Sequence, residues 1–593
     1  MALFYRNIVT DDGQQQRPRR RVGCLGGCLI FFAVYFICSA ILGWIMGDMF
    51  SSSSKVELKE NTVYRLELKG TLVEQGQKDN PFASMMSAMP YSSYAKQDNV
   101  GLDDILSNIR LAKNDDRILG IWIDGGELET APANAKTIRD ALLDFKKSGK
   151  WVIASAASYG QTNYYIASVA DLVCLDPTGQ VDWNGLSAQQ MYFTRALEKI
   201  GVEMQILKVG TFKSAVEPYF RTSMSDADRK QTEEYLRGIW SEYKSAVGAS
   251  RGLSEAQLDA LADRYMGLQP AEEQLAAGLV DTIVYCQDMD SLLRIYSGTK
   301  DFHAMTTSKL ALVKRHEIRA KDKVAVLYLE GAITEESGDG IVAKDVVKSL
   351  KKIRKDSDVK ALVLRVNSPG GSATASEQIW HAIQKVREDD FPVVVSMGDY
   401  AASGGYYISC GTNYIYAEPT TLTGSIGIFG TIPNVAKLRD KVGLDIDGVK
   451  TNQHSDLEGN MIYKGMNSEE HALMQTMIER GYDLFTRRCA EGRRVEQSYI
   501  KSIGEGRVWL GAKGKEIGLV DGLGSIDDAI AKAVALAGIG DFKTVYYPEK
   551  TDPFEDFLKS FDNTTEEERL ILKLREFCSQ PRVMAIMQEV KIY

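Results

Sequence analysis

The strongest chemical feature of this sequence is a serine within a run of small residues that follows a predicted buried strand, Phe391–Val395. Residues Phe391–Ser409 have the sequence FPVVVSMGDYAASGGYYIS, an apolar run followed by five small residues and two tyrosines. A strand that turns sharply into a helix presents one hydroxyl at the corner, and glycine lets backbone N–H groups approach a substrate. Ser403 is therefore a candidate nucleophile, and the N–H of Gly404 is a candidate oxyanion donor. The alternative is a tight junction in which only small residues fit.

A glycine pair follows another predicted strand, at 361–366. The segment Asn367–Ser372 has the sequence NSPGGS, and the N–H groups of such a loop can face a cleft. Gly370 and Gly371 are candidates for the second oxyanion donor. The alternative is an ordinary turn before a helix.

A serine nucleophile needs a base, and the sequence offers two candidates. Lys213 lies in the segment KVGTFKSAVEPYF, after a predicted strand at 204–209 and beside apolar residues. Burial lowers the pKa of a lysine so that the neutral amine can accept a proton, although most lysines are solvated surface charges. Among the five histidines, only His454 lies in a polar loop in the same half of the chain as Ser403.

The elements that position these residues belong to two copies of one unit. Three segments recur in the same order, and the tyrosine pairs that begin at Tyr164 and Tyr406 are 406 − 164 = 242 residues apart. The matching segments are Val63–Gly70 with Val324–Gly331, Trp151–Ser155 with Val393–Ser396, and Gly278–Asp281 with Gly518–Asp521. Such self-similarity indicates a duplicated structural unit. Strands and helices alternate in each copy, which favours an α/β fold with mainly parallel pairing.

The two copies divide the candidate chemistry between them. At the offset of 242, Ser403 corresponds to Gln161 and Lys213 corresponds to Ser455. Each copy therefore retains half of a serine–lysine pair, which predicts one composite site at the interface between the copies. Two alternatives stay open, namely that Lys213 serves a neighbouring chain in an oligomer, or that His454 is the base.

Composition and charge bound the remaining possibilities. The chain has 593 residues, 25% of them charged, and a net charge of −9, which suits a protein of several domains and gives no reason to expect nucleic acid. The eight cysteines show no metal-ligand spacing in a soluble region and no disulfide framework.

Residues 22–47 carry no charge, and as a helix these 26 residues would extend about 39 Å, against about 30 Å for a hydrocarbon core. Four arginines between Arg17 and Arg21 precede them, which predicts a cytoplasmic N-terminus. A cleaved signal peptide is the alternative, disfavoured by the length of the segment.

These patterns divide the chain into six parts. They are a cytoplasmic tail at 1–21, a transmembrane anchor at 22–47, a first α/β repeat at 55–286, a linker at 287–321, a second repeat at 322–545 and a C-terminal tail at 546–593. The first repeat holds an additional segment, Gln75–Val100, which we expect to form a long loop.

Four motifs together resemble the signal peptide peptidase A (protease IV) family, in its tandem-duplicated bacterial form. The resemblance covers most of the chain from about residue 60 to 540. Its motifs are Asn367–Ser372, Asp399–Tyr407 (DYAASGGYY), Leu422–Phe429 (LTGSIGIF) and Lys208–Pro218 (KVGTFKSAVEP). The inserted loop and the C-terminal tail are the departures from the family pattern.

The resemblance implies a membrane-anchored serine endopeptidase with a Ser/Lys dyad. Ser403 would be the nucleophile, Lys213 the general base and Ser425 a hydrogen-bond partner of the lysine, with no cofactor and no metal. It further implies tandem crotonase-like domains related to the caseinolytic proteases, and a bowl-shaped homotetramer with an apolar interior. The substrates would be signal peptides and other apolar peptides, and the location the bacterial inner membrane with the catalytic domains periplasmic. The competing hypotheses are a crotonase-type acyl-CoA enzyme and a non-catalytic membrane scaffold.

The arginine cluster before residue 22 generates a prediction of topology. Protease digestion of spheroplasts is expected to remove the body of the protein, because the positive-inside rule places residues beyond 50 across the membrane. The measurement is an immunoblot against the C-terminal half, with a cytoplasmic protein as the control. Full protection of residues beyond 60 would refute this topology.

Overall fold

The computed structural model describes residues 56–77, 99–313, 319–338, 340–550 and 584–587. The predicted anchor at 22–47 and most of the inserted loop lie outside these residues. Within the described ranges, no helix combines the length and the apolar character needed to cross a membrane.

The first repeat is built on a parallel sheet with strand order β2-β1-β3-β4-β5-β7, and β8 pairs with β1. Its strands are β1 (Thr62–Val73), β2 (Asn99–Gly101), β3 (Ile118–Glu129), β4 (Trp151–Ala156), β5 (Leu172–Leu175), β6 (Glu203–Lys208), β7 (Thr282–Ile283) and β8 (His303–Thr306). Its α-helices are α1 (Leu102–Asn114), α2 (Pro132–Lys146), α3 (Gln161–Ala167), α4 (Thr194–Ile200), α5 (Asp226–Arg251), α6 (Glu255–Asp263), α7 (Ala271–Ala276), α8 (Met289–Ser297) and α9 (Thr307–Ala311).

The second repeat has a sheet of order β18-β16-β14-β12-β9-β20, with β15 pairing with both β14 and β19. Its strands, with β21 from the C-terminal tail, are β9 (Asp322–Glu330), β10 (Ile333–Thr334), β11 (Ile341–Val342), β12 (Val359–Ser368), β13 (Gly370–Ser372), β14 (Val393–Ala402), β15 (Tyr414–Ala417), β16 (Leu422–Gly424), β17 (Phe429–Asn434), β18 (Val508–Leu510), β19 (Gly522–Leu523), β20 (Phe542–Tyr547) and β21 (Met584–Ile586). Its α-helices are α10 (Ala343–Lys355), α11 (Ala373–Val386), α12 (Gly404–Ser409), α13 (Ala436–Val442), α14 (Leu457–Tyr463), α15 (Ser468–Arg493), α16 (Gln497–Ile503), α17 (Gly511–Glu516) and α18 (Ile526–Ala537).

Equivalent contacts in the two repeats reflect the duplication. In each, a tyrosine of the helix after the central strand donates to a leucine carbonyl, and an arginine ending the longest helix pairs with an aspartate. The pairs are Tyr164 with Leu279 and Tyr406 with Leu519, and Arg251 with Asp281 and Arg493 with Asp521.

The main hydrophobic core of each repeat includes residues of the other repeat. Side chains alternate along β12, so that Val363 packs with the core of the first repeat whereas Leu362 and Leu364 pack with the second. Both faces of the strand are buried, as is typical of parallel sheets covered on two sides.

A third sheet joins elements of both repeats in the order β11-β10-β13-β21-β17-β6. Strand β6 of the first repeat pairs antiparallel with β17 of the second, with Lys208 opposite Phe429. The segment 287–321, predicted to be a linker, contains α8, β8 and α9, and β8 extends the first sheet. The C-terminal tail contributes β21 to the third sheet.

A fully buried ion pair connects the repeats behind the site. Arg365 on β12 and Glu74 after β1 lie 2.8 Å apart, with side chains 0% and 1% exposed. All five N–H donors of the guanidinium have acceptors, which Glu74, Asn134, Ser396 and the Met397 carbonyl supply. Removing one member would leave the other as an uncompensated buried charge.

We predict that Glu74→Gln destabilises the folded protein by about 3–5 kcal/mol, because Arg365 then stays buried without its counter-charge. Replacing both residues, as in Glu74→Gln/Arg365→Met, is expected to cost less than the single change. Urea unfolding followed by circular dichroism measures both. As the matched control, Glu549→Gln in the exposed Lys352–Glu549 pair should leave the midpoint nearly unchanged. An equal effect of Glu74→Gln and this control would contradict the prediction.

Candidate active site

Ser403 stands at the corner between β14 and α12. Its backbone has φ 57° and ψ −115°, an unfavourable conformation for a residue with a Cβ, and its side chain is fully buried. The N–H of Ser403 donates to the carbonyl of Gly424 at 2.8 Å, and its carbonyl accepts from the N–H of Tyr407. Strand and helix therefore fix the strained corner from both sides, as a serine nucleophile at a sharp turn requires.

Lys213 reaches the same corner from the first repeat. It follows β6 and immediately precedes the 3₁₀-helix Ser214–Tyr219. The N–H of Phe212 donates to the carbonyl of Glu505 at 2.9 Å, and a Cβ on Gly506 would come within 2.7 Å of the Lys213 Cα. The lysine backbone is thus held against the second repeat, at a place where only glycine leaves room.

The amine of Lys213 has three close oxygen neighbours. Its Nζ lies 2.8 Å from Ser403 Oγ, 3.0 Å from Ser425 Oγ and 3.1 Å from the Ser425 carbonyl. A neutral amine has two N–H donors and one lone pair. It can donate both hydrogens to Ser425 and direct the lone pair at the Ser403 hydroxyl, so that this geometry suits a base.

Burial lowers the pKa of the Lys213 amine well below its ordinary value. The side chain is 1% exposed, and no carboxylate among the described residues pairs with Nζ. Since the charged form has lost its hydration and gained no counter-ion, the neutral form is favoured.

The predicted glycine loop forms β13, which contacts α12, the helix that begins after Ser403. Gly370 has φ 105°, and its N–H donates to Ser368 Oγ at 3.1 Å. Gly371 packs so closely against β10 that a Cβ would lie 2.1 Å from the Ile333 carbonyl. Gly404 is the first residue of α12, directly after Ser403. The structure thus brings all the predicted oxyanion residues beside the serine corner.

The C-terminal strand β21 lies between β13 and β17, antiparallel to both. Met584 is opposite Ser372, and the N–H of Met587 donates to the carbonyl of Pro369 at 2.6 Å. The side chain of Met587 is buried and lines a cavity together with Lys213 and Ser425. An extended chain therefore occupies the groove that leads to the Ser403–Lys213 pair.

The predicted alternative base, His454, does not join the Ser403–Lys213 pair. His454 lies in a surface loop, where its Nε2 is 3.5 Å from Glu469, and no histidine within the described ranges hydrogen-bonds to Ser403. Sequence reasoning gave no role to Asp399, whose carboxylate accepts from the N–H groups of Ala133 and Asn134 at the start of α2. Burial raises the pKa of Asp399 to about 7. The only indication of Asp399 in the sequence was its position, four residues before Ser403.

The fold and this site define a serine peptidase of the α/β class. The profile of Peptidase family S49 matches the chain twice, at residues 144–298 and 385–540, and the profile of the Clp protease family matches residues 315–421. The chain therefore belongs to peptidase family S49, with the family domain in tandem. The two matches confirm the duplication, and the Clp protease match agrees with the predicted relation to caseinolytic proteases.

Three relatives that match most of this chain are also named as proteases. The chain is 35% identical to "Protease 4" of Salmonella typhi over 87% of this chain and 85% of that protein, and 32% identical to "Protease 4" of Haemophilus influenzae over 86% and 84%. It is 28% identical to the chloroplastic "Serine protease SPPA" of Arabidopsis thaliana over 77% of this chain and 68% of that protein.

We predict that activity rises with pH through the lowered pKa of Lys213, because only the neutral amine can accept the serine proton. Lys213→Ala should reduce kcat by about 10²–10⁴-fold. The measurement is the pH profile of kcat/KM on a fluorogenic peptide, with His454→Ala as the control whose profile should not change. Near-normal activity of Lys213→Ala, with loss in His454→Ala, would assign the base to the histidine.

Proposed function

We propose that this protein is a membrane-anchored serine endopeptidase with a Ser403/Lys213 dyad, which degrades cleaved signal peptides and other apolar peptides at the membrane. The observation that carries the proposal is the 2.8 Å approach of a buried, unpaired lysine amine to the hydroxyl of a strained serine. The two residues come from different repeats of one chain, which favours a composite site within the chain over a site shared between chains.

The proposed reaction proceeds through an acyl-enzyme. Neutral Lys213 takes the proton of the Ser403 hydroxyl, and Oγ attacks the peptide carbonyl. The protonated amine then gives that proton to the leaving nitrogen, and a water molecule activated by the same amine releases the acyl group. Ser425 holds Nζ in place throughout, through its hydroxyl and its carbonyl.

Backbone N–H groups would stabilise the tetrahedral intermediate. The N–H of Gly404 adjoins the nucleophile, and β13 lies against the same helix start. Gly370 donates to Ser368 Oγ in the present arrangement, so that a substrate oxyanion would take the place of this hydroxyl or use the neighbouring N–H of Gly371.

A peptide is the class of substrate that this groove suits. Strand β21 shows that an extended chain fits between β13 and β17 by backbone pairing, which is the way in which β-strand addition binds peptides. An acyl-CoA enzyme would need a nucleotide site instead. The predicted anchor at 22–47 would keep the groove close to apolar segments left in the bilayer, with the catalytic repeats on the periplasmic side of the bacterial inner membrane and assembled as a homotetramer.

We predict that Ser403→Ala lowers cleavage of an apolar fluorogenic peptide by at least about 10³-fold, because the variant lacks the oxygen that would form the acyl-enzyme. Residues 55–593 provide the protein for the assay. Wild type should react covalently with a fluorophosphonate probe, and Ser403→Ala should not. Ser409→Ala, which removes a buried hydroxyl from the same helix, is the matched control and should retain labelling. Comparable turnover by Ser403→Ala would exclude the serine mechanism, and absence of any turnover or labelling in wild type would favour the scaffold hypothesis.

A further inference from the structure

A cavity opens directly beside the Ser403–Lys213 pair. It is open to solvent, and Lys213, Ser425 and Met587 are among the residues that line it. Most of its wall is apolar and comes from both repeats, for example Phe212, Met224 and Leu422. Pockets of this kind take one side chain of a ligand, and their few polar groups select it.

Among the residues that line this cavity, Asp228 on α5 is the only one with a carboxylate. Its side chain is buried, with 6% of the residue exposed, and it lines the cavity. One of its oxygens, Oδ1, accepts from Gln231 Nε2 at 3.0 Å. The other oxygen, Oδ2, has no hydrogen-bond or ion-pair partner within the described ranges of the chain.

The usual structural role of this aspartate is already filled by another residue. Asp228 is the third residue of α5, where an acidic side chain ordinarily reaches back to the N–H of the cap residue, Ser225. Here Glu217 takes that place, since its two carboxylate oxygens accept from the N–H and the hydroxyl of Ser225 at 2.9 and 2.6 Å. The side chain of Asp228 therefore does not cap the helix.

A second unsatisfied group lies near Asp228, and no lysine or arginine in the described part of the chain forms an ion pair with this aspartate. The hydroxyl of Tyr192 is buried without a partner, and burial, followed by the charge of Asp228, raises its pKa to about 12. Arg221 lies 3.8 Å from Glu217 instead, and Arg229 makes no ion pair with Asp228. A buried carboxylate with one oxygen left without a partner is better satisfied when a ligand supplies a cation.

The strand β21 indicates which residue of a peptide enters the cavity. The strand runs antiparallel to β13, and Met587, the residue directly after it, donates its N–H to the carbonyl of Pro369. The Met587 side chain lines the cavity. A substrate strand in the same register therefore directs the side chain on the amino side of the cleaved bond into this space.

We infer that this cavity selects lysine or arginine on the amino side of the cleaved bond, and that Asp228 is the residue that determines this specificity. The inference rests on the proposed peptidase function. A long aliphatic stem would contact the apolar wall, as Met587 does, and the cationic head would pair with Oδ2 of Asp228. Signal peptides carry such residues beside their apolar segments, so that this specificity would direct cleavage to the border of an apolar stretch.

The test compares two peptides that differ only in the selected side chain. One has lysine on the amino side of the cleaved bond, and the other has norleucine, which keeps the stem and lacks the ammonium. We expect wild type to prefer lysine by at least about tenfold in kcat/KM. Asp228→Asn should lose at least about tenfold with the lysine peptide and change less than about threefold with norleucine. Asp226→Asn, an exposed carboxylate in the same helical turn, is the matched control and should leave both values unchanged.

The outcomes separate this inference from the proposed function. Cleavage of both peptides with equal efficiency in wild type, or an unchanged lysine preference in Asp228→Asn, would overturn the specificity while leaving the peptidase intact. Retained norleucine cleavage by Asp228→Asn shows that the variant is folded. Cleavage of neither peptide by wild type would overturn the peptidase function and this inference with it. Because both peptides depend equally on the Lys213 base, their ratio is insensitive to the pH of the assay.

Discussion

Burial of the Lys213 amine without a counter-ion is the constraint on which the rest of the site depends. A charged ammonium in this interior would have lost its hydration, so the folded chain favours the neutral form. That neutral form needs a partner for its lone pair, which Ser403 supplies, and acceptors for its hydrogens, which Ser425 supplies. The same desolvation that keeps the lysine neutral, and so able to accept a proton, also disfavours the folded state. Function is here gained at the expense of stability.

The shared construction of the two repeats follows from this requirement. A lysine delivered from a separate domain could withdraw into solvent and become charged again. Here β6 is hydrogen-bonded along its length to β17, and Gly506 lies against the lysine backbone. Behind the site, the Glu74–Arg365 pair ties the first repeat to β12. Such a charge pair gains its strength from complete hydrogen bonding, since burial of the charges is itself unfavourable.

Local pattern and internal comparison predicted much of this arrangement. The apolar run Phe391–Val395 predicted the beginning of β14, although the strand continues to Ala402. The offset of 242 between the copies predicted that lysine and serine come from different repeats. Contacts between residues that are far apart in the chain could not be predicted from local sequence patterns. The pairing of β6 with β17 leaves no periodic trace, and the sequence between 546 and 593 gives no sign of a strand at Met584. The spacing of Ser225 and Asp228 is that of a capping pair, and only the position of Glu217 shows that the Asp228 side chain does not cap the helix.

The placement of β21 in the groove has a consequence for how tightly any peptide can bind. A substrate must compete with a strand that belongs to the same molecule, whose local concentration does not fall on dilution. The apparent dissociation constant is then the intrinsic constant divided by the fraction of molecules whose groove is vacant. A groove vacant in about 1% of molecules would weaken every peptide about 100-fold. In the proposed peptidase, β21 would thus set a threshold of affinity, below which a peptide could not displace it from the groove.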